Sequence, residues 1–342
     1  MSTIAVLITS VLALAVTIAP GAALAWTRSP ATRFATLPDG FANPERIAAD
    51  AAGNLYVTTF DTTKTGGPGQ LFVFTPSGRL LRQVAVEGSS NLLLDLAFHP
   101  QSGALLVIDF ASARVLTVDP VTGASQIFAQ IPGSAGPNVL TFDRAGNVYV
   151  SDSFQATVWR TGPAGGMATP FVTSPLLGTS GVPPFGANGL AFDTAQTALF
   201  VANTGNDTVI RIPVSGTPLA AGTPAVFANS VNGADGLIVD EDDNVWVCAN
   251  QADEVVVLDR TGRLIAKLGD FGGIGPDGAP NGLLFPASLV RSGNFVYVTN
   301  LALDLRLFDP DFTTGDSPWT SEVRRHTIAR IGARIPPVQR PE

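Results

Sequence analysis

Histidine and cysteine are nearly missing from this chain of 342 residues, which holds two of the first and one of the second. With Cys248 alone, no internal disulfide can form, and the fold must rest on its apolar core. His99, His326 and Cys248 are too few for a zinc site and leave little basis for a Ser/His/Asp triad; no Gly-x-Ser-x-Gly elbow occurs either. Charge is also scarce. Only 14 % of residues are charged, the formal net charge is −8, and no Lys/Arg cluster offsets it, so nucleic acid is not expected as a partner. Apolar runs long enough for a core helix are absent beyond the first twenty-five residues.

That first segment is different. Residues 4–18 are almost all apolar, and Ala23, Leu24 and Ala25 supply the small-x-small pattern of a signal-peptidase site, although no Lys or Arg precedes the apolar stretch. Residues 1–25 read as a cleaved export signal, which makes the mature protein secreted or periplasmic and leaves it with no membrane contact after cleavage. A membrane anchor is the competing reading, for which the stretch is short. Residues 26–342 read as a single domain, expected to be a monomer.

What the chain has in abundance is turn formers and short strands. Gly 35 and Pro 26 divide it too often for long helices, and the runs between them are rich in Val, Ile, Leu and Phe. A unit recurs about every 45–50 residues: a polar residue, an apolar run, an acidic turn, then often Asn and a second apolar run. Copies begin at Glu45, Leu94, Asn138, Asn188 and Asp235, with a less regular sixth at Ala287. Third and fourth strands follow, as at 254–259 and 263–268. Four antiparallel strands in each of six repeats predict an all-β fold, a six-bladed β-propeller. Segment 32–37 resembles an outer strand and is a candidate to close the ring, in competition with 322–331. The Gly/Pro-rich insertions 178–186 and 269–285 precede inner strands and should sit at the channel mouth.

First strands of propeller blades line the central channel, so residues at one repeat position converge there. Around the ring that position reads Glu45, Leu94, Asn138, Asn188, Asp235 and Ala287. Asn opening a strand is also an ordinary turn residue, which accounts for one or two copies but not for Glu45. Two carboxylates facing each other in a narrow channel require a counter-ion. A hard dication suits two carboxylates and two amides, with Ca²⁺ favoured for its tolerance of irregular oxygen geometry and Mg²⁺ or Mn²⁺ as substitutes. The acidic run from Asp240 to Asp243 lacks the glycine and terminal Glu of a calcium loop and aligns with hairpin turns elsewhere. Asn206 to Thr208 is a glycosylation acceptor in a eukaryotic setting.

The order and spacing of Glu45, Asn138, Asn188 and Asp235, with Pro137 before Asn138 and Gly189 and Gly236 after the last two, resembles the senescence-marker-protein/gluconolactonase (regucalcin-like) family of calcium-dependent six-bladed propellers. The resemblance runs from about residue 34 to 309. It implies a catalytic divalent cation on the matching Glu, Asn and Asp residues, with Asn138 at the metal or substrate. The related diisopropyl-fluorophosphatase and paraoxonase groups use a similar set, which implies hydrolysis of lactones or, less often, organophosphate esters. Asp235 is then the expected general base, or the nucleophile toward a phosphoryl centre, Glu45 chiefly a ligand, and Asn138 and Asn188 neutral ligands that orient the substrate oxygen. Two departures matter. Gly136 stands where sugar-lactone members carry an Arg, and no channel histidine is evident. A less polar lactone or ester is the expected small-molecule substrate, in a pocket with Leu94, Phe185 and Phe285 near its rim. A non-hydrolytic propeller, either a binding module or a biosynthetic cyclase with a structural metal, is the alternative.

Overall fold

The structure, a computed structural model, describes residues 29–335, so the expected export signal at 1–25 lies outside the described residues. Six inner strands, Pro44–Ala49, Leu93–Phe98, Pro137–Phe142, Ala187–Phe192, Ala234–Val239 and Pro286–Ser292, each open a four-stranded antiparallel path. The inner strands pack one against the next in chain order, and the last packs back against the first. The arrangement is a β-propeller. Its second and third sheets are joined at the outside by a short parallel pairing of Gly166 with Ala129 and Met167 with Gln130. No described helix is long and apolar enough to cross a membrane.

Ring closure uses both candidate segments. In the sixth sheet the order is Pro286–Ser292, Phe295–Asn300, Thr327–Gly332 and then Thr32–Thr36, so the N-terminal strand completes a blade built by the C-terminus. The two segments compete in sequence because both are apolar strands without a full repeat around them. They fill successive positions in space.

Second strands such as Leu55–Thr59, Leu105–Asp109 and Val245–Ala249 are buried along their whole length, because each sheet has a neighbour on both faces. Continuous apolar runs therefore replace the in-out alternation of a one-sided sheet. Wedges of side chains fill the spaces between sheets; Tyr56, Leu71, Leu93 and Leu105, for example, lie in one cluster. Each such residue contributes about 1.5–3 kcal/mol by leaving water. The acidic turns are hairpin locks. Asp240 Oδ1 accepts the N–H groups of Asp242 and Asn244, and its Oδ2 accepts from Asn244 Nδ2 and Trp246 Nε1.

The inner strands share one irregularity. In all six, register slips by one residue between the first and fourth positions, so two inner-strand residues oppose one on the second strand. A bulge of this kind bends the strand and re-aims a side chain. The two bulged residues include the repeat position read above: Glu45, Leu94, Asn138, Asn188, Asp235 and Ala287.

Candidate metal centre

Glu45, Asn138, Asn188 and Asp235 come from four different sheets and line a single small cavity of about 40 Å³. None is more than 7 % exposed. Bulging puts them there, and side chains facing the bulge hold the backbone. Ser151 Oγ, opposite the bulge of its own sheet, accepts from Val139 N–H at 3.0 Å, and Thr299 Oγ1, opposite the bulge at Ala287 and Ser288, donates across to the Glu45 carbonyl of the next sheet at 2.6 Å. Cys248 sits opposite the bulge at Asp235 and Gly236, fully buried, where a small side chain fits.

Amide orientation follows from the hydrogen-bond network. Ser153 Oγ spends its proton on the Ala187 carbonyl at 2.8 Å, so it accepts from Asn138 Nδ2 at 3.2 Å. Thr204 Oγ1 likewise donates to the Ala234 carbonyl and accepts from Asn188 Nδ2 at 3.0 Å. Both amide oxygens, Asn138 Oδ1 and Asn188 Oδ1, are then left buried with no partner. An unpaired buried acceptor costs roughly 1–3 kcal/mol. In the next sheet Asn250 Nδ2 donates to Asp235 Oδ2 at 3.0 Å.

The carboxylates are equally out of balance. Burial first, and the charge of Asp235 second, push Glu45 well above the usual carboxylate range, with Arg46 opposing the rise. Burial lifts Asp235 to about 7, although the hydrogen bond from Asn250 pulls the other way. Asp95 is a third buried acid, raised by burial to about 6 against the pull of Arg46. Arg46 Nε lies 2.5 Å from Asp95 Oδ1 as an ion pair without hydrogen-bond alignment. This pair leaves Glu45 and Asp235 without a cation of their own. Two carboxylates and two orphaned amide oxygens form an all-oxygen set that fits a hard dication such as Ca²⁺. Nowhere among the described residues do three or more His, Cys, Asp or Glu gather in a metal-binding group.

Sequence reasoning missed Arg46, Asp95, Ser153, Thr204 and Asn250. The signal was available: Arg46 and Asp95 directly follow ring positions, and the other three directly follow second strands ending at Asp152, Asn203 and Ala249. At the same point the remaining sheets carry Phe60, Phe110 and Leu301. The ring therefore has a polar half and an apolar half. Leu94, Phe185 and Phe285 line the cavity, as do Pro183, Leu301 and Leu303, so both insertions reach the channel mouth. The histidines are occupied elsewhere. His99 Nδ1 accepts from Ser102 N–H, which leaves Nε2 to donate to the Gly146 carbonyl at 2.9 Å. His326 Nδ1 accepts from Asn43 N–H, and burial lowers its pKa to about 4, which keeps it neutral.

Residues 185–269 match the sequence profile of the SMP-30/Gluconolactonase/LRE-like region. No curated protein matches the chain. Among solved structures, a calcium-binding protein, regucalcin, from Agrobacterium tumefaciens strain C58 is similar at 16 % identity and TM-score 0.60, covering 90 % of this chain and 99 % of that one. A luciferin-regenerating enzyme is similar at 17 % identity and TM-score 0.60, over 87 % and 94 %. A protein provisionally named a gluconolactonase is similar at 16 % identity and TM-score 0.61, over 89 % and 92 %. At these identities the likeness establishes the fold. Residues 185–269 are thus similar to the SMP-30/gluconolactonase/LRE-like region, and the chain as a whole shares the fold of these solved structures.

Proposed function

We propose that the chain is an exported, calcium-dependent hydrolase of weakly polar lactones or related esters. One observation carries the reading: two buried carboxylates and two orphaned amide oxygens converge on the floor of a cavity whose walls are Phe, Leu and Pro. Glu45, Asn138, Asn188 and Asp235 would hold the ion. When bound, a divalent cation supplies a Lewis acid for a carbonyl oxygen and makes a nearby water more acidic.

The side chains divide the remaining work. Glu45 and Asp235 offset a double positive charge, while the neutral amides of Asn138 and Asn188 add ligands without adding charge. Asn138 also orients the substrate oxygen, since Ser153 fixes its amide plane. Asp235 is the general base: Asn250 holds Oδ2, which leaves Oδ1 to take a proton from the attacking water. Apolar walls from Phe60, Leu94, Phe285 and Leu301 exclude bulk water and give a polar sugar ring nothing to bond with. Gly136 points the same way, because a Cβ there would lie 2.6 Å from the Phe154 ring. A side chain at that position would require the Phe154 ring to move.

The test is metal content and lactonase or arylesterase activity of the mature protein, with and without chelator, beside Glu45→Ala and Asp235→Ala. One calcium per chain, with hydrolysis abolished by chelation or by either substitution, supports the reading. Bound calcium without turnover of any ester or lactone would make the site structural.

A further inference from the structure

Beyond the cavity wall, aromatic side chains from the first three sheets and from the insertion 178–186 meet in a chain of rings. Phe60 lines the cavity, and its ring centroid lies 5.5 Å from that of Phe110, edge to face. Phe110 stands 5.7 Å from Phe154 and 6.3 Å from Phe185, and Phe154 and Phe185 are 5.7 Å apart. Phe185 lines the cavity too, so the three outer rings form a triangle joined to it at two points. Phe154 nevertheless remains 53 % exposed.

The position of Phe154 is built, not incidental. Its ring lies against the backbone of Gly136, where an added Cβ would fall 2.6–2.9 Å from three ring atoms. Asp152, completely buried, ties both sides of this contact together. Its Oδ1 accepts the N–H groups of Gly136, Phe154 and Gln155, and its Oδ2 accepts from Gln155 Nε2 and Trp159 Nε1. Gly136 is two residues before Asn138, so the same clamp sets the ring and the polar floor in one frame. A preorganised, half-exposed ring loses little freedom when a ligand covers it.

We propose that Phe110, Phe154 and Phe185 form a subsite for an uncharged aromatic ring carried by the substrate, with the carbonyl at Asn138 and Asp235. This rests on the hydrolase reading for the carbonyl, though not for the ring. The wall carries no charged side chain, and every polar group lining the cavity belongs to the floor. A charged or polyhydroxylated arm would lose its water there without replacement. Ring–ring contacts favour an aromatic arm over an aliphatic one of equal size, and two such contacts amount to about a tenfold difference in affinity.

The experiment measures equilibrium binding of two non-hydrolysable lactams, one phenyl-substituted and one cyclohexyl-substituted, to the full mature protein in calcium. The parent and Phe154→Tyr should bind the phenyl compound about tenfold more tightly than the cyclohexyl one, and Phe154→Ala, with one ring contact fewer, only about threefold more tightly. Equal affinities in the parent, a preference undiminished in Phe154→Ala, or no binding of either compound would overturn the subsite. Turnover of the corresponding lactones is followed in parallel. Phenyl-selective binding without hydrolysis of any lactone retires the hydrolase reading and keeps the subsite; hydrolysis without phenyl preference does the reverse.

Discussion

Ser153 accepts the side-chain N–H of Asn138 at 3.2 Å only because its own proton is committed to the Ala187 carbonyl, and this commitment turns the Asn138 oxygen away from every protein donor. Thr204 repeats the relationship with Asn188 one sheet further on. Two hydroxyls that follow second strands thus hold the nitrogens of two inner amides and leave both amide oxygens unpaired.

Removing either hydroxyl should free the amide to rotate. Ser153→Ala and Thr204→Ala are expected to lower calcium affinity by about 10–100-fold, the usual cost of losing a group that orients a ligand. Titration calorimetry checks it. Unchanged affinity in both variants would mean that the amides are oriented by something else.

Charge repulsion at the ring gives a prediction of opposite signs. Without metal, Asp235 and Glu45 oppose each other across a buried site, and burial raises both. At pH 8, Asp235→Asn should therefore raise the melting temperature of the chelated protein while removing the upward shift that calcium gives the parent. A variant that melts lower than the parent without calcium would contradict the picture of an unbalanced pair.

A second acid pair lies beside the cavity wall. Asp253 accepts the N–H of Phe285, which lines the cavity, at 2.8 Å. Burial, then the charge of Asp316 and of Asp270, raise Asp253 to about 8, and burial raises Asp316 to about 6. The folded chain thus holds protons that the unfolded chain, with Asp near 3.8, has released. Stability from these groups is lost as pH climbs from about 4 to about 8. Asp253→Asn should be little different from the parent at pH 4 and more stable at pH 8.5, both in calcium. Melting curves across that range test it, and a gap that narrows with rising pH would refute the assignment.

The repeat was legible in the sequence because each inner strand announces itself by a polar residue, an apolar run and an acidic turn. Composition at one position was enough to pick out Glu45, Asn138, Asn188 and Asp235. The order of 32–37 and 322–331 in the last sheet was not legible, since two apolar strands that pair with each other look alike. Nor was the layer of Ser153, Thr204 and Asn250: its meaning lies in which carbonyl or carboxylate each side chain meets, and Ala187, Ala234 and Asp235 are 34, 30 and 15 residues away. Arg46 and Asp95 were visible as charges. That they form an ion pair depends on the first and second sheets being neighbours at the axis.

Gly189 and Gly236 follow Asn188 and Asp235, and the structure gives both glycines a reason that is steric. A Cβ on Gly189 would sit 2.2 Å from the Asp235 carbonyl oxygen and 2.7 Å from Leu237 N, and one on Gly236 would sit 2.5 Å from the Ala287 carbonyl oxygen. These contacts are with backbone, which cannot rotate out of the way. Gly189→Ala must therefore push apart the two inner strands that carry Asn188 and Asp235, at a cost of about 1–3 kcal/mol for overpacking. Calcium binding should weaken in the same variant, because the displaced backbone is the one that aims Asp235. Gly315→Ala, where a Cβ meets nothing within 4 Å, should change neither. Denaturant unfolding and calcium titration of the two variants side by side decide the matter: loss of stability with full calcium affinity would show that the close approach of these strands is needed for the fold and not for the site.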